Sequence, residues 1–250
     1  MNSSGYDGKK ILITGASRGI GRAAVKLLLE KGAELIGTRN QTPIPETIVS
    51  EERFSEMELD LSNTDSLDQF LDQLDQAGWP EVVINNAGVF LPAEMTGSEE
   101  KWLEIWQKTM RINLEAPARI CKRAVSSWTA ENRSGILINI ASRAAYRGDT
   151  QEYASYAATK GGLVALTKSI ARGFGKSGIT AFSIAPGFVE TDMAAGSMEV
   201  YGEEYLKKDL VLEELAQPED VAGLIAYLAS GSAGQMTGST FHLNGGSYMI

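Results

Sequence analysis

Short apolar runs and longer helical stripes take turns along the whole chain. The runs Lys10–Thr14, Glu34–Thr38, Phe54–Leu59, Glu81–Asn85, Gly135–Ala141, Ile179–Ala185 and Ser239–Leu243 have the length and continuity of buried parallel strands. Between them, apolar residues at helical spacing predict helices over Gly19–Lys31, closed by Gly32, and from the capping start Ser62-Asn63-Thr64 to about Ala77. The same spacing predicts helices over about Ser98–Met110, Arg111–Ala130, Tyr156–Lys176 and Pro218–Ser230. Gln41–Ser50, interrupted by Pro43 and Pro45, reads as a loop or a degraded helix.

Repeated strand–helix units imply right-handed crossovers. The expected fold is therefore α/β, a mostly parallel seven-stranded sheet with helices on both faces. No internal repeat, low-complexity tract or linker divides it, so residues 1–250 are expected to form a single doubly wound domain. A cofactor half would span about 1–110, and a catalytic and substrate half about 111–250.

Composition narrows the chemistry. The chain has 250 residues, 43% apolar and 22% charged, ordinary for a globular protein. One Cys excludes an internal disulfide and favours a reducing compartment, and one His with one Cys excludes a zinc site built from several such ligands. A nucleophilic triad would have to use His242. Net charge is −9, which argues against a nucleic-acid binder, but it conceals a division. Residues 1–100 carry −9, residues 101–180 carry +8 and residues 181–250 carry −8. Val221–Ile250 holds no Asp, Glu, Lys or Arg, yet five glycines from Gly231 to Gly246 and many polar residues interrupt it, so no membrane span is expected. Met1–Lys10 lacks a signal-peptide core, and the expected location is cytoplasmic.

The first candidate site is Thr14-Gly15-Ala16-Ser17-Arg18-Gly19-Ile20-Gly21, directly after the first strand and opening the first helix. A glycine turn there lets backbone N–H groups approach a pyrophosphate at the helix N-terminus. This is also the turn at which doubly wound sheets bind dinucleotides. Tyr156 and Lys160 are four apart near a helix start, so both project from one face. An adjacent ammonium favours phenolate and moves a phenol from its ordinary pKa of about 10 toward neutrality.

Over essentially its whole length the sequence resembles the short-chain dehydrogenase/reductase family, which has a Rossmann-type fold. The resemblance is carried, in order, by Thr14–Gly21, Asp60, Asn85-Asn86-Ala87-Gly88, Asn113, Ser142, Tyr156-Ala157-Ala158-Thr159-Lys160, Pro186-Gly187 and Thr191. It implies that Tyr156 exchanges the proton with the substrate oxygen and Ser142 hydrogen-bonds that oxygen. Lys160 would hold the nicotinamide ribose, and Asn113 would order a proton-relay water. The implied cofactor-binding set is Gly15, Ser17, Arg18, Gly19, Ile20, Gly21, Thr38, Arg39, Asp60, Leu61, Asn86, Ala87, Gly88, Tyr156, Lys160, Pro186, Gly187, Val189 and Thr191, with no metal. The second strand ends Gly37-Thr38-Arg39-Asn40 without the acid that selects NAD, and Arg18 with Arg39 can grip a 2′-phosphate. NADP(H) is thus the preferred cofactor, with NAD(H) left open.

Ser142 and Tyr156 stand one residue further apart than the family pattern, which predicts a bulged connection. Tyr153 is excluded as the acid because Ala157 occupies its lysine position. Glu213-Glu214 stands where relatives often carry a basic residue. Trp102 and Trp106 read as packing or interface residues, Cys121 and His242 as packing residues, and Glu99-Glu100-Lys101 as a solvated helix start.

Ala185–Met193, Tyr156–Gly161 and Ser169–Arg172 look most like 3-oxoacyl-acyl-carrier-protein reductases. That likeness implies a carrier-linked or small-molecule ketone or alcohol, and acyl carrier protein docking on Arg133, Arg172 and Lys176. Arg143 and Arg147, just after Ser142, suit instead a small substrate bearing carboxylate or phosphate, or else solvent. A dehydrogenase of alcohols, sugars or hydroxy acids, and a non-enzymic cofactor sensor, are the alternatives. The family places a substrate lid at Ala194–Leu210. It also assembles as homodimers or homotetramers through the two central helices, where Ile112, Val125, Leu163 and Leu166 offer an apolar stripe.

Overall fold

The computed structural model describes residues 5–193 and 202–250. Seven strands, β1 (Lys10–Ile13), β2 (Glu34–Arg39), β3 (Phe54–Glu58), β4 (Val82–Asn85), β5 (Gly135–Ile140), β6 (Ile179–Pro186) and β7 (Thr240–Leu243), form one sheet. Its order is β3-β2-β1-β4-β5-β6-β7 and every pairing is parallel. Because both faces are covered, the central strands are apolar at nearly every position, and β4 is buried at all four, Asn85 included. Between β1 and β4 the strand order reverses, opening a crevice at the carboxyl ends of the strands.

One face is covered by α1 (Gly19–Glu30) and the last helix, Pro218–Ala229, whose Val25, Leu28, Ile225 and Leu228 pack on Ile11, Ile13 and Ile184. The other is covered by α3 (Thr64–Ala77), α5 (Ala116–Ala130) and α7 (Ala154–Phe174), which bury Phe70, Ile120, Trp128 and Ile170 against Leu12, Val83 and Leu137. Sequence caps set the starts. Asn63 accepts from the N–H groups of Asp65 and Ser66 at 2.9 and 3.2 Å, and Asp220 returns to the Gln217 N–H at 2.7 Å.

Gln41–Ser50 is a degraded helix of one turn, α2 (Glu46–Val49), entered through Pro45. Several other expectations need correction. The helix expected from Arg111 is not separate. α4 (Glu99–Met110) runs through a π turn, Arg111–Glu115, directly into α5. Pro117 has no N–H to offer the Asn113 carbonyl, so the regular α pattern cannot continue through that turn. α7 begins two residues before Tyr156. The Ser142–Tyr156 connection is not a plain bulge but a short helix, α6 (Ala144–Arg147), a left-handed Gly148 at φ +76°, and a 3₁₀ turn at Gln151–Tyr153. In the expected stripe, Ile112, Val125 and Leu163 are buried within this chain's own core. The expected lid lies partly outside the described residues; its described part includes the short helix Glu203–Lys207. Among the described residues no helix is long and apolar enough to cross a membrane.

Candidate active site

The crevice is a cleft of about 410 Å³ running from the end of β2 to the start of α7. Its floor is the glycine turn after β1. Gly15 sits at φ +74°, and a Cβ there would lie 3.1 Å from Ala87. A Cβ on Gly21 would fall 1.9 Å from the Gly15 carbonyl oxygen, so the helix can approach the turn only with glycine there. Asn86 braces the turn by donating from Nδ2 to the Thr14 and Gly15 carbonyls at 2.9 and 3.1 Å. The Thr14 hydroxyl accepts from the N–H groups of Asn86 and Ala87 at 3.0 and 3.1 Å. No side chain caps α1 at Arg18, which leaves its first N–H groups facing the cleft. This cradle of bare backbone fits a dinucleotide pyrophosphate.

At the far end, Ser142 follows β5 and Tyr156 and Lys160 lie on the first turns of α7. Lys160 is 4% exposed, and its Nζ donates to the Ile140 carbonyl at 2.7 Å. Burial lowers its pKa to about 8. Its Nζ lies 5.6 Å from the Tyr156 ring centroid. Burial pushes the Tyr156 phenol up to about 12, opposed by the neighbouring Ser142 hydroxyl and reinforced by the Asp149 carboxylate. In this geometry desolvation outweighs the lowering expected from the neighbouring lysine. Phe90 meets the Tyr156 ring edge-on at 4.8 Å and stacks on Tyr153 at 3.7 Å. Tyr153 therefore shapes the wall.

Asn113 is fully buried in the π turn. Its Nδ2 donates to the Val89 carbonyl and its Oδ1 accepts from the Val89 N–H, both at 2.8 Å. That clamp holds the β4 exit in place. A Cβ on Gly88 would be 3.1 Å from Asn113 Oδ1 and 3.5 Å from Lys160 Nζ.

Of the residues named from sequence, Gly15, Ser17, Arg18, Gly19, Ile20, Arg39, Asn86, Ala87, Gly88, Ser142, Tyr156, Lys160, Pro186, Gly187, Val189 and Thr191 line the cleft. Thr38, Gly21 and Asn113 support it from behind, and Thr38 Oγ1 accepts from the Gly15 N–H at 3.2 Å. Asp60 Oδ1 accepts from the Ser62 N–H and hydroxyl at 2.8 and 2.7 Å, and Leu61 is buried beside it. Sequence reasoning missed Phe90, Asp149 and Phe188, and the Asn40–Thr42 rim onto which Ser17 donates at Thr42 O, 2.7 Å. Adjacency to Gly88, Gly187 and Arg39 was the available signal. Arg143 is 5% exposed and lines the cleft with its guanidinium 4.6 Å above the Phe188 ring. Among the described residues no cluster of His, Cys, Asp or Glu is arranged for a metal.

The family model described as Enoyl-(Acyl carrier protein) reductase matches residues 15–248. The 3-oxoacyl-[acyl-carrier-protein] reductase FabG of Vibrio cholerae is 36% identical, over 98% of this chain and 99% of its own. The chain is a short-chain dehydrogenase/reductase. The corresponding reductase of Synechocystis is 33% identical over 96% of both chains. Among solved structures, 4-hydroxyisoleucine dehydrogenase complexed with NADH superposes with a TM-score of 0.85 at 31% identity, covering 96% of this chain and 98% of that one. A mutant of it holds NADH and succinate, at 30% identity with the same TM-score of 0.85 and the same coverage. BdcA in complex with NADPH superposes at 0.84 with 27% identity, over 97% and 95%. This short-chain dehydrogenase/reductase is an NAD(P)-dependent oxidoreductase acting on CH–OH or C=O groups.

Proposed function

We propose that the protein is an NADPH-preferring carbonyl reductase in which Tyr156 is the proton donor. The observation that carries this reading is that Ser142, Tyr156 and a buried Lys160 line one end of the cleft whose other end is the glycine cradle. When bound, the nicotinamide supplies the hydride. Ser142 and the Tyr156 hydroxyl converge on the substrate oxygen, and the phenol, held protonated by burial, is ready to donate. Lys160 offers its ammonium to the ribose hydroxyls while remaining tied to Ile140 O. Asn113 fixes Val89 and so the distance between Gly88 and Lys160.

Arg18 is 63% exposed at the cleft mouth, and its guanidinium lies 3.4 Å from Asp192. Arg39 lies at the same rim on Glu56 at 2.6 Å and Glu58 at 3.6 Å. Such surface pairs contribute about 0–1 kcal/mol, so a doubly charged 2′-phosphate can displace them. Steady-state kinetics test the reading: NADPH should exceed NADH by at least about tenfold in kcat/KM, or about 1.4 kcal/mol. Tyr156→Phe should lower kcat by roughly 10²–10⁴ without changing NADPH affinity. Comparable turnover with NADH would overturn the preference, and an active Tyr156→Phe enzyme would overturn the mechanism.

For the substrate, the names of the curated relatives support a 3-oxoacyl thioester, carried or free. Arg172 and Lys176 are exposed, whereas Arg133 is held by Glu131 at 2.6 Å and donates to Trp79 O at 2.7 Å. Arg172 lies 16 positions beyond Tyr156 on the same helix, about 24 Å along its axis. A carrier docked there would need a long arm to reach the cleft of the same chain. A second reading, a small anionic ketone or hydroxy acid, is favoured by the buried Arg143 and by the succinate held in a similar dehydrogenase.

A further inference from the structure

We propose that Arg143 is the anion anchor of the substrate site, so that the ketone or alcohol carries a carboxylate or phosphate close to its reacting carbon. This rests on the carbonyl-reductase reading and adds the substrate class to it.

The arginine is unusual for its surroundings. Arg18, Arg39, Arg119, Arg123, Arg133 and Arg147 all reach a carboxylate. Arg143 is the more deeply buried side chain, yet among the described residues no hydrogen bond or ion pair engages its guanidinium. A buried cation without a bonded partner is costly, and such an exception calls for an explanation. The chain does not leave its position to chance. The Arg143 N–H donates to the Pro186 carbonyl at 2.9 Å, fixing the backbone one residue after Ser142. The Phe188 ring lies 4.6 Å under the guanidinium and holds it by a cation–π contact, which leaves the edges of the fork for a ligand. A carboxylate or phosphate accepts two parallel N–H bonds from such a fork.

The charged groups around it do not substitute for a ligand. Asp149 lines the same cleft, but its Oδ1 accepts from the Thr150 N–H at 2.9 Å. Asp209 is 3.4 Å from Arg147. Burial and the charge of Arg147 both weaken the hold of Arg143 on its proton, while Asp149, Asp209 and Tyr205 oppose them. A bound anion relieves both burial and repulsion. A 3-oxoacyl thioester has no charge beside its keto carbon, so it would leave the guanidinium desolvated and unpaired.

The test uses the full chain and matched substrate pairs, with NADPH oxidation as the readout: acetoacetate against methyl acetoacetate, 4-oxopentanoate against its methyl ester, and dihydroxyacetone phosphate against dihydroxyacetone. The N-acetylcysteamine thioester of acetoacetate is the neutral acyl probe. The charged member of at least one pair should be preferred, and which pair responds separates carboxylate from phosphate. Arg143→Met should lower kcat/KM for that member by between about 30-fold and several thousand-fold, leaving its neutral partner within about threefold. Arg143→Lys should restore part of the loss, because a point charge lacks the fork. Arg147→Gln should have little effect. Calorimetry of succinate and of inorganic phosphate with the enzyme–NADP⁺ complex adds a readout independent of turnover, and whichever anion binds should lose its heat in Arg143→Met.

The proposal is overturned if neutral ketones or the thioester are preferred, if Arg143→Met lowers both members of a pair equally, or if anion binding survives the substitution. Those outcomes with NADPH still consumed leave the reductase reading standing. Arg143-dependent anion binding without reduction of any ketone would instead support the anchor and overturn the reductase.

Discussion

Replacing Lys160 with Met should abolish a gain in stability that the wild type makes as pH rises above about 8. The ammonium is 4% exposed, has one hydrogen bond, to Ile140 O, and titrates at about 8 against an ordinary 10.5. The difference of about 2.5 units corresponds to about 3 kcal/mol. Because the folded-state value is depressed, both states are protonated below pH 8 and the native state there carries the full cost of burying the charge. Between about pH 8 and 10.5 the unfolded chain binds more protons than the native one, so stability rises with pH. Tyr156, raised to about 12, acts with the opposite sign above its ordinary 10.0 and closes the window near pH 10. Urea unfolding of the ligand-free protein from pH 7 to 9.5 should therefore show wild type gaining about 2 kcal/mol relative to Lys160→Met. A constant or falling difference would refute the claim that burial governs this ammonium.

Two further substitutions separate the cradle from the scaffold. Gly21→Ala places a methyl group 1.9 Å from the Gly15 carbonyl oxygen, so the turn must open; fluorescence titration should show NADPH affinity at least about tenfold weaker. Gly135→Ala drives a methyl group to 2.2 Å from the Trp128 ring at the opposite end of β5. It should cost about 1–3 kcal/mol, seen as a lower Tm, while NADPH affinity measured at a permissive temperature stays unchanged.

The alternation of strands and helices was readable because a parallel sheet covered on both faces demands near-continuous apolar runs, broken in Val82–Asn85 and Gly135–Ile140 by Asn85 and Asn139, which hydrogen-bond each other at 2.8 Å. The π turn was not. One residue of extra winding barely alters apolar spacing over Ser98–Ala130, and only Pro117 hinted at it. Within the site, Tyr156 and Lys160 were legible from a spacing of four. The direction of the Tyr156 shift was not, because it depends on burial and on an Asp149 brought in by the folded connection after Ser142. Likewise, Arg39 reads as a free phosphate ligand until parallel pairing sets it beside Glu58, with Glu56 on the same strand. Arg143 was visible as a residue, but that no hydrogen bond or ion pair among the described residues engages its guanidinium is a property of the fold alone.

The segregation of charge along the chain has a structural origin that changes its meaning. α3 belongs to the acidic first hundred residues and α5 to the basic middle, and the two helices lie side by side over the sheet. Arg119 pairs with Asp68, and Arg123 with Asp72 at 2.5 Å and Asp75 at 2.8 Å. Arg147 likewise meets Asp209 of the acidic last segment at 3.4 Å. Three positive charges of the +8 block, Arg119, Arg123 and Arg147, are thus paired inside the chain with the segments that flank it. The sequence total therefore overstates the charge open to an acidic partner. What does bear on the substrate is one buried positive charge that no ion pair among the described residues engages, and it stands beside Ser142 in the cleft.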